Sequence, residues 1–323
     1  MIAPSKLSVH DDPIQIVSAA DNNYAMTLAV ALFSILKNLN QKQKVVFFIL
    51  DGGIRKDTLD KIKRMLESPR SKVNIIRLNQ KLLRRYPTCG HINWVAYSRL
   101  LLPELLPLEL KKIIWIDADM VFLRDISPLW DFYQEDVSLF AANDCYFWTI
   151  QEAIPYWKEA GLPPDAPYFN SGLMVLNLDR IRKLKFMPIW FAYLERYSKQ
   201  LMYAEQDALN ATMIGEWKKI NRQWNRMSCI HFSKPWHETP FAEEEHFQLI
   251  QDPYGLHFTG ASKPWKSECQ HPNLPDFYQY LDQTPWQGWR PGEPLKVKLK
   301  KWLRPTYRWL RDKQSTCFKG KQS

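Results

Sequence analysis

A short apolar run that ends in two acidic residues constrains the fold of this chain more than any other feature. Residues 113–116 (Ile-Ile-Trp-Ile) are β-branched or aromatic, which predicts a strand buried on both faces, as in a parallel sheet. Asp117 and Asp119 follow at once. Side chains two positions apart in an extended chain point the same way, so both carboxylates leave the strand at its carboxyl end, where open α/β sheets bind ligands.

Two carboxylates held side by side repel each other unless a cation lies between them. Mg²⁺ and Mn²⁺ favour a few carboxylates together with phosphate oxygens, so a divalent metal that clamps a diphosphate is the use that best fits Asp117 and Asp119. The alternative is that Asp117-Ala118-Asp119 is only a turn or a helix cap, because Asp-x-Asp on its own is a common sequence.

Strand-like and helix-like segments alternate along the first part of the chain. Apolar runs predict strands at 14–19, 45–50 and 73–78, and amphipathic patterns predict helices at 26–39 and 56–66. This alternation predicts a doubly wound, mostly parallel α/β sheet. The later predicted elements are a helix at 92–106, a strand at 137–142, a strand at 172–178, a long helix to about residue 199 that Pro188 kinks, and a helix at 203–214.

The glycine pattern argues against two common classes of nucleotide-binding enzyme. The 11 glycines form neither a G-x-G-x-x-G nor a G-x-x-x-x-G-K-[ST] motif. A dinucleotide-dependent oxidoreductase and a P-loop ATPase are therefore disfavoured, despite the Rossmann-like start.

Positive charge is concentrated at the end of the chain. The formal net charge is +10, and residues 290–323 carry eleven Lys or Arg against two acidic residues, which leaves +1 for residues 1–289. Apolar residues recur at helical spacing among these cations, which predicts basic amphipathic helices that suit an anionic membrane surface. The alternatives are a solvated basic helix or a nucleic-acid contact. Because the body offers no basic groove, we expect no nucleic-acid partner.

The cysteines and the chain start predict a protein that is neither exported nor transmembrane. Five cysteines are scattered, odd in number and without C-x-x-C spacing, so we interpret them as reduced thiols of a cytosolic protein. The first residues contain no apolar signal-peptide core, and no apolar run approaches the ~20 residues of a membrane span.

Five short blocks together resemble a known family. They occur in the order seen in glycosyltransferase family 8, and they are Ile16–Tyr24, Asp117–Asp119, Tyr168–Gly172, Glu205–Asp207 and His257–Trp265. That family includes retaining bacterial galactosyl- and glucosyltransferases of lipopolysaccharide synthesis, glycogenin and galactinol synthase. The resemblance covers roughly residues 14 to 270, and five blocks in order are far more specific than any one of them.

The resemblance implies a single Rossmann-like nucleotide-sugar-binding domain of the GT-A type with a mostly parallel sheet. We accordingly divide the chain into an N-terminal extension (1–13), a catalytic domain (14–289) and a basic membrane-associating tail (290–323). The implied activity is retaining transfer of galactose or glucose from a UDP-sugar to a hydroxyl of a glycan acceptor, which is lipid-linked. We expect a cytoplasmic protein that associates peripherally with the inner face of the membrane.

The resemblance also assigns the metal and diphosphate ligands. His257 becomes the third metal ligand beside Asp117 and Asp119, and an imidazole shifts the preference from Mg²⁺ towards Mn²⁺. Lys263 becomes a point charge on the diphosphate, and Gly260 allows the backbone to approach it closely. Without the family, His257 and Lys263 would be interpreted as an ordinary histidine and a solvated lysine.

Residues at the end of the first strand are assigned to the nucleotide. They are Ala19, Asp21, Asn23 and Tyr24, where Asp21 accepts the uracil N–H and Tyr24 offers a face for stacking. Without the family, Asp21 would be interpreted as a helix N-cap beside an Asn-Asn turn. Arg99 matches a position that contacts the donor sugar or the diphosphate, and it would otherwise be a helix-surface arginine. Ala118 belongs to the metal-binding motif.

Four further residues are assigned to the donor sugar. Asp144, Asn170 and Asp207 match positions that hold sugar hydroxyls, and Gln206 matches the residue nearest the far face of the anomeric carbon. An uncharged amide is a poor nucleophile, so we expect front-side substitution rather than a covalent intermediate. Glu205 and Ser171 stand where relatives often have Asp and Ala, which bears only on sugar selectivity.

Three other hypotheses remain open at this point. The chain could be a non-catalytic membrane- or nucleic-acid-binding protein with a vestigial sugar site, or an enzyme that hydrolyses the donor, or one that glycosylates itself. Four aromatic residues could stack on acceptor sugars or belong to the core, and they are Tyr146, Trp148, Trp236 and Trp286.

Overall fold

The computed structural model of the chain describes residues 12–88, 93–232 and 241–292. Residues 1–11 of the predicted extension, residues 293–323 of the predicted basic tail and Trp236 lie outside the described residues. Within the described residues, no helix has the length and apolar character needed to cross a bilayer.

Ten strands and twelve α-helices are formed by the described residues. The strands are β1 (Ile14–Ala20), β2 (Val45–Asp51), β3 (Ser71–Arg77), β4 (Lys112–Ile116), β5 (Met120–Phe122), β6 (Leu139–Asn143), β7 (Phe169–Asn177), β8 (Trp217–Lys219), β9 (Arg226–Met227) and β10 (Gly255–His257). The helices are α1 (Ala25–Asn38), α2 (Lys56–Leu66), α3 (Gln80–Leu83), α4 (Leu102–Leu105), α5 (Ser127–Trp130), α6 (Ile150–Ala153), α7 (Leu178–Lys183), α8 (Phe186–Tyr197), α9 (Glu205–Thr212), α10 (Cys229–Phe232), α11 (Glu243–Gln251) and α12 (Leu274–Leu281). Two 3₁₀ helices cover Trp94–Leu101 and Arg222–Asn225.

Seven strands form the main sheet in the order β3-β2-β1-β4-β7-β6-β8. β1 pairs in parallel with β2 and β4, β2 with β3, and β6 with β8. β7 runs antiparallel between β4 and β6. The predicted α/β fold with a mostly parallel sheet is confirmed, and the reversed strand brings the amino end of β7 to the edge where β1 and β4 end.

The central strand β4 is buried on both faces, as predicted from its apolar run. Ile114 and Ile116 pack in the core cluster that contains α1, whereas Ile113 and Trp115 pack in the cluster on the opposite face. This division follows from the alternation of side chains along a strand. Full burial of such side chains stabilises the fold by about 1.5–3 kcal/mol each, which fixes the position of the acidic residues that follow.

Two predicted helices differ from the structure. The segment after β7 is two helices, α7 and α8, separated at Lys185, whose φ is +53°. Pro188 lies in the first turn of α8, where a missing N–H removes no helical hydrogen bond, so it causes no kink. The predicted helix at 92–106 is a 3₁₀ helix over Trp94–Leu101 followed by the short α4.

A second, three-stranded sheet has the order β5-β10-β9. β10 is antiparallel to β5 and parallel to β9, and this register sets His257 opposite Met120 and beside Met227. Because Met120 directly follows Asp119, the pairing carries His257 to the acidic pair from more than a hundred residues away in the sequence.

The interpretation of all five cysteines as reduced thiols is wrong for one pair. Cys145 and Cys229 form a disulfide with a Cα–Cα distance of 6.5 Å, within the usual range. The two are 84 residues apart in sequence, and the fold brings the loop after β6 beside α10. Cys269 is a free thiol, and Cys89 and Cys317 lie outside the described residues.

Candidate active site

A cavity of about 390 Å³ opens where β1 and β4 end and β7 begins. This size suits a small-molecule ligand. The sequence-predicted site residues that line it are Ala19, Asp21, Tyr24, Arg99, Asp117, Ala118, Asp119, Asp144, Asn170, Gln206, His257, Gly260 and Lys263. Residues separated by up to 244 positions are therefore brought to one edge of the sheet.

Two predicted site residues, Asn23 and Asp207, do not line the cavity. Asn23 is exposed, and its N–H donates to Asp21 Oδ1 at 2.9 Å. Asp207 is fully buried, where Oδ1 accepts from the Tyr168 hydroxyl at 2.7 Å and Oδ2 accepts from the main-chain N–H groups of residues 202 and 203. Burial raises the pKa of Asp207 to about 6. The bonds to residues 202 and 203 hold the turn before α9.

The predicted nucleotide end of the cavity is built on a turn at Asp21. Asp21 Oδ1 accepts from the N–H groups of Asn23 and Tyr24 at 2.9 and 3.1 Å, and Oδ2 accepts from Asn93 Nδ2 at 3.1 Å. The turn expected without the family is therefore present, and Asp21 lines the cavity as well. Tyr24 packs edge-on against Trp265, with ring centroids 5.4 Å apart. Burial and the nearby carboxylates raise the pKa of Tyr24.

Among the described residues, one part of the cavity lining carries both cations of the cavity together with two of its carboxylates and a histidine. We call this the charged side, and it consists of Arg99, Asp117, Asp119, His257 and Lys263. His257 Nε2 lies 3.2 Å from Asp119 Oδ1 and 3.7 Å from Asp117 Oδ2. One ligand atom from each of these three residues lies within 4.8 Å of the others. Gly172 makes room for the ring, since a Cβ there would lie 2.2 Å from His257 Cε1. The triad fits a divalent metal ion.

Asp119 is neutralised from two directions. Lys263, only 2% exposed, donates through Nζ to Asp119 Oδ2 at 2.5 Å and to the Phe258 carbonyl at 2.6 Å. Burial alone would raise the pKa of Asp119, but the Lys263 ammonium and His257 hold it well below its usual range. These two bonds hold the Lys263 ammonium at the cavity wall, directly beside the triad.

Arg99 orients Asp117. Its Nη2 donates to Asp117 Oδ1 at 2.7 Å, and its Nη1 donates to the Ser171 carbonyl and hydroxyl at 2.7 and 2.6 Å. The guanidinium lies over the Trp115 ring, and the Trp115 indole N–H donates to the same Asp117 oxygen at 3.0 Å. These bonds leave Asp117 Oδ2 facing His257, as a metal ligand must.

An adjoining part of the cavity lining is built from neutral polar groups around one carboxylate. We call this the amide side, and it consists of Asp144, Asn170, Ser171 and Gln206. Gln206 Oε1 accepts the Ser171 N–H at 2.9 Å, which turns Gln206 Nε2 towards Asp144 Oδ2 at 3.3 Å. Asn170 Nδ2 also donates to this Asp144 oxygen, at 3.1 Å. Burial raises the pKa of Asp144, and its hydrogen bonds offset only part of that rise.

Three functional candidates were missed by the sequence analysis. Glu205 lines the cavity and lies 3.3 Å from Arg99 through Oε1, while its buried Oε2 has no partner among the described residues. Its position beside Gln206 was a usable signal. Asn93 lines the cavity next to Asp21. Asn225, which bonds to His257, lies in no matched block, and no sequence signal marked it.

Five carboxylates and two Lys or Arg side chains line the cavity, as counted over the described residues. The carboxylates are Asp21, Asp117, Asp119, Asp144 and Glu205. With the buried Asp144 and Glu205 left out, three carboxylates still outnumber the two Lys or Arg side chains. An anionic ligand such as a diphosphate would therefore be repelled unless a further cation accompanies it.

Solved glycosyltransferases share this fold. A structure described as galactosyltransferase LgtC in complex with donor and acceptor sugar analogs matches with a TM-score of 0.73 and 23% identity, covering 89% of this chain and 100% of that one. The apo structure of the bifunctional glycosyltransferase WbbM matches with a TM-score of 0.70 and 18% identity, covering 88% of this chain and 52% of that one. The chain therefore has a fold of the GT-A type.

A family model described as glycosyl transferase family 8 matches residues 15–269, and the chain belongs to that family. General stress protein A of Bacillus subtilis (strain 168) is 28% identical over 279 residues, which cover 85% of this chain and 96% of the relative. A lipopolysaccharide 1,2-glucosyltransferase of Escherichia coli (strain K12) is 25% identical over 293 residues, which cover 88% of this chain and 82% of the relative. The resemblance seen in the sequence is thus confirmed.

Proposed function

We propose that the chain is a Mn²⁺-dependent retaining hexosyltransferase that moves galactose or glucose from a UDP-sugar to a hydroxyl of a lipid-linked glycan acceptor. The observation that carries the proposal is the triad of Asp117, Asp119 and His257 with Lys263 directly behind it. Relatives named as lipopolysaccharide glucosyl- and galactosyltransferases support the sugar and the acceptor class.

The charges of the cavity support a metal-dependent donor site. A nucleotide diphosphate enters a net-negative cavity only with a cation, and the triad offers two carboxylate oxygens and one imidazole nitrogen to hold it. The nitrogen ligand favours Mn²⁺ over Mg²⁺. When bound, the metal supplies charge neutralisation to the diphosphate leaving group.

The residues of the chain divide the remaining work. Lys263 places a second positive charge beside the leaving diphosphate, and Arg99 keeps Asp117 turned towards the metal position. Asp144 and Asn170 present a carboxylate and an amide to the donor-sugar hydroxyls. Gln206 Oε1 is already bonded to the Ser171 N–H, so this amide is a poor nucleophile and front-side substitution is favoured.

The deciding experiment compares UDP-galactose with UDP-glucose in binding and turnover assays, with Mn²⁺, Mg²⁺ or EDTA present. The wild type is compared with Asp119→Ala. We expect Mn²⁺-dependent turnover of one donor, and loss of at least ~10²-fold of that turnover in the variant. Asp125→Ala is the matched control, because Asp125 lies outside the cavity and caps the turn at Ser127.

Four outcomes would count against the proposal or its mechanism. Metal-independent binding of either donor would remove the assigned role of the triad. Hexose units added to the chain itself, detected by mass spectrometry, would make the protein its own acceptor. Free hexose without transfer to any offered glycan would make it a donor hydrolase. A sugar adduct trapped on Gln206 would replace front-side substitution by double displacement.

Membrane association is proposed from sequence alone. Residues 290–323 carry a net charge of +9, which suits an anionic leaflet on the cytoplasmic side. Replacing Lys296, Lys298, Lys300 and Lys301 by Gln should weaken binding to vesicles containing phosphatidylglycerol, with turnover on a soluble acceptor unchanged. Equal binding of both proteins to such vesicles would contradict this role.

A further inference from the structure

The side chain of Asn225 connects the charged side of the cavity to the amide side. It is fully buried at the end of the Arg222–Asn225 3₁₀ helix. Its Oδ1 lies 2.9 Å from His257 Nδ1, and its Nδ2 donates to Asn170 Oδ1 at 2.9 Å. Asn225 does not line the cavity, so it acts only through these two neighbours.

The orientation of this chain of amides is fixed by a main-chain donor. The Gly172 N–H donates to Asn170 at 3.0 Å, and a main-chain N–H is always a donor, so the atom that it contacts is the Asn170 oxygen. Asn225 must present its NH₂ group to that oxygen, which turns its own oxygen towards His257 Nδ1. An amide oxygen only accepts, so Nδ1 of His257 carries the hydrogen.

The consequence appears at the other nitrogen of the ring. A neutral imidazole with hydrogen on Nδ1 has a lone pair on Nε2, and Nε2 faces Asp119 Oδ1 at 3.2 Å and Asp117 Oδ2 at 3.7 Å. When Nε2 carries no hydrogen, Nε2 and the two carboxylate oxygens are three ligand atoms turned towards one position, where they can coordinate a divalent cation together.

We propose that Asn225 is the positioning residue of the metal site. It holds His257 as the Nδ1–H tautomer, so that Nε2 is available to the ion, and through Asn170 it ties the metal ligands to Asp144 and Gln206. The inference deepens the proposed function and rests on it, because the ion is the one that the donor requires. Partners of this kind typically change metal affinity by about 10- to 100-fold.

Two substitutions test the two hydrogen bonds of Asn225 separately. In Asn225→Ala both bonds are lost. In Asn225→Asp the carboxylate still accepts from His257 Nδ1 but cannot donate to Asn170, so the metal side is retained and the amide side is disturbed. Asn177→Ala is the matched control, since Asn177 is a buried asparagine that caps α7 away from the cavity.

The experiment measures the Mn²⁺ dissociation constant of the full chain by electron paramagnetic resonance, with and without UDP. We expect Asn225→Ala to weaken Mn²⁺ binding by about 10- to 100-fold, and Asn225→Asp and Asn177→Ala to stay within about threefold of the wild type. In turnover assays, Asn225→Asp should raise the KM for the donor without changing its Mn²⁺ requirement.

A direct measurement of the tautomer accompanies the binding data. Nitrogen-15 spectra of the metal-free protein are recorded at a pH at which the ring is neutral, with the His257 signal identified by its loss in His257→Gln. They should show hydrogen on Nδ1 in the wild type and a mixture in Asn225→Ala. If Asn225→Ala does not fold, the wild-type spectrum and Asn225→Asp decide the question.

The results distinguish the inference from the proposed function. If the wild type binds no Mn²⁺, both are overturned. If the wild type binds Mn²⁺ and Asn225→Ala binds it equally well, or if hydrogen resides on Nε2 of wild-type His257, only the role of Asn225 is overturned. Equal weakening in Asn225→Asp and Asn225→Ala would show that the site needs the amide for packing rather than for the tautomer.

Discussion

The charged side and the amide side of the cavity are both buried, yet they satisfy their carboxylates in different ways. On the charged side, Asp117 and Asp119 are paired with Arg99 and Lys263. On the amide side, Asp144 has only N–H donors of amides and the main chain. An ion pair changes its interactions when a further cation or anion enters the cavity. In a network of neutral amides, the hydrogen bonds are already formed before a ligand binds.

This difference suggests a division of labour within one cavity. In the proposed function the charged side exchanges partners, because a metal and a diphosphate take over the roles that Lys263 and Asp119 fill for each other. The amide side is arranged to keep its shape, because each of its donors already has an acceptor. Mn²⁺ should therefore change the ionic interactions of the charged side and leave the hydrogen bonds of the amide side as they are.

The largest effect on stability is expected from Lys263→Met. The substitution leaves the buried Asp119 without its ammonium partner, which should lower the free energy of unfolding by about 3 kcal/mol. Mn²⁺ should stabilise the variant more than the wild type, since the ion replaces the missing charge. Urea denaturation with and without Mn²⁺ measures both effects.

Lys266→Met is the control for this prediction, because Lys266 is exposed and lies three residues away in the same segment. We expect it to change the free energy of unfolding by less than about 0.5 kcal/mol. A loss in Lys263→Met that is equally small, or one that Mn²⁺ does not reduce, would show that the charged side does not exchange partners.

The second prediction concerns Asp207, which lies behind the amide side on α9. Its pKa of about 6 exceeds the usual carboxyl value of 3.8, because burial disfavours the charged form. The folded state therefore retains a proton that the unfolded state loses as the pH rises from about 4 to 6. Stability falls through that window by about 3 kcal/mol, and Asp207→Asn should lack this fall.

The measurement is the free energy of unfolding of the wild type and of Asp207→Asn at pH 4 and pH 7. From pH 7 to pH 4 the wild type should gain about 2.5 kcal/mol relative to the variant. Asp179→Asn, with an exposed carboxyl, should show no such change. If the wild type is instead stabilised relative to the variant at pH 7, the three hydrogen bonds to Asp207 outweigh the effect of its burial.

The third prediction is the counterpart of the first on the amide side. Asp144→Asn keeps an oxygen for the Tyr146 N–H but turns an NH₂ group towards the donors of Asn170 and Gln206. Two buried donors then lose their acceptor, and relief of the buried charge offsets part of the cost, so we expect a loss of about 1–2 kcal/mol.

Unlike the loss in Lys263→Met, the loss in Asp144→Asn should be the same with and without Mn²⁺, as measured by urea denaturation. The exposed Asp136 provides the control substitution Asp136→Asn. If Mn²⁺ restores the stability of Asp144→Asn as effectively as that of Lys263→Met, the two sides respond to the ion as one electrostatic unit. The proposed difference between them is then wrong.

The sequence was informative where a feature is local. The bounds of α2 match the prediction, and those of β1 and β2 differ from it by one residue at most, because a helical period or a continuous apolar run marks such elements locally. The motif blocks likewise brought forward most residues that line the cavity. Each block includes several neighbouring residues, so its position in the fold carries the whole block to the site.

Features that depend on contacts across the chain were not predictable. Periodicity reports that β7 is buried but not that it runs antiparallel. Asn225 lies 32 residues from His257 and 55 from Asn170 in an irregular segment with no repeated spacing. The same holds for the Cys145–Cys229 pair, since spacing along the chain gives no information on which thiols the fold brings together.

The smallest effect is expected at Ala204, a strained residue at the start of the helix that carries Gln206 of the amide side. Ala204 has φ +52° and ψ −124° directly before Glu205, a conformation that glycine adopts readily and alanine does not. Such strain costs about 1–3 kcal/mol, and the greater unfolded-state freedom of glycine offsets about 0.5–1 kcal/mol. Ala204→Gly should therefore stabilise the fold by about 1 kcal/mol.

Lys185→Gly provides the comparison for Ala204→Gly, because Lys185 also has positive φ but lies in the ordinary left-handed region, with ψ +45°. Its gain should be close to zero, since that region costs a side chain less. Thermal denaturation of both variants measures the difference. If Ala204→Gly gains stability but loses turnover, the strain holds Gln206 in its working position, and the amide side is rigid for a catalytic reason. If Ala204→Gly is less stable than the wild type, the turn before α9 is not strained, and the rigidity of the amide side rests on its hydrogen bonds alone.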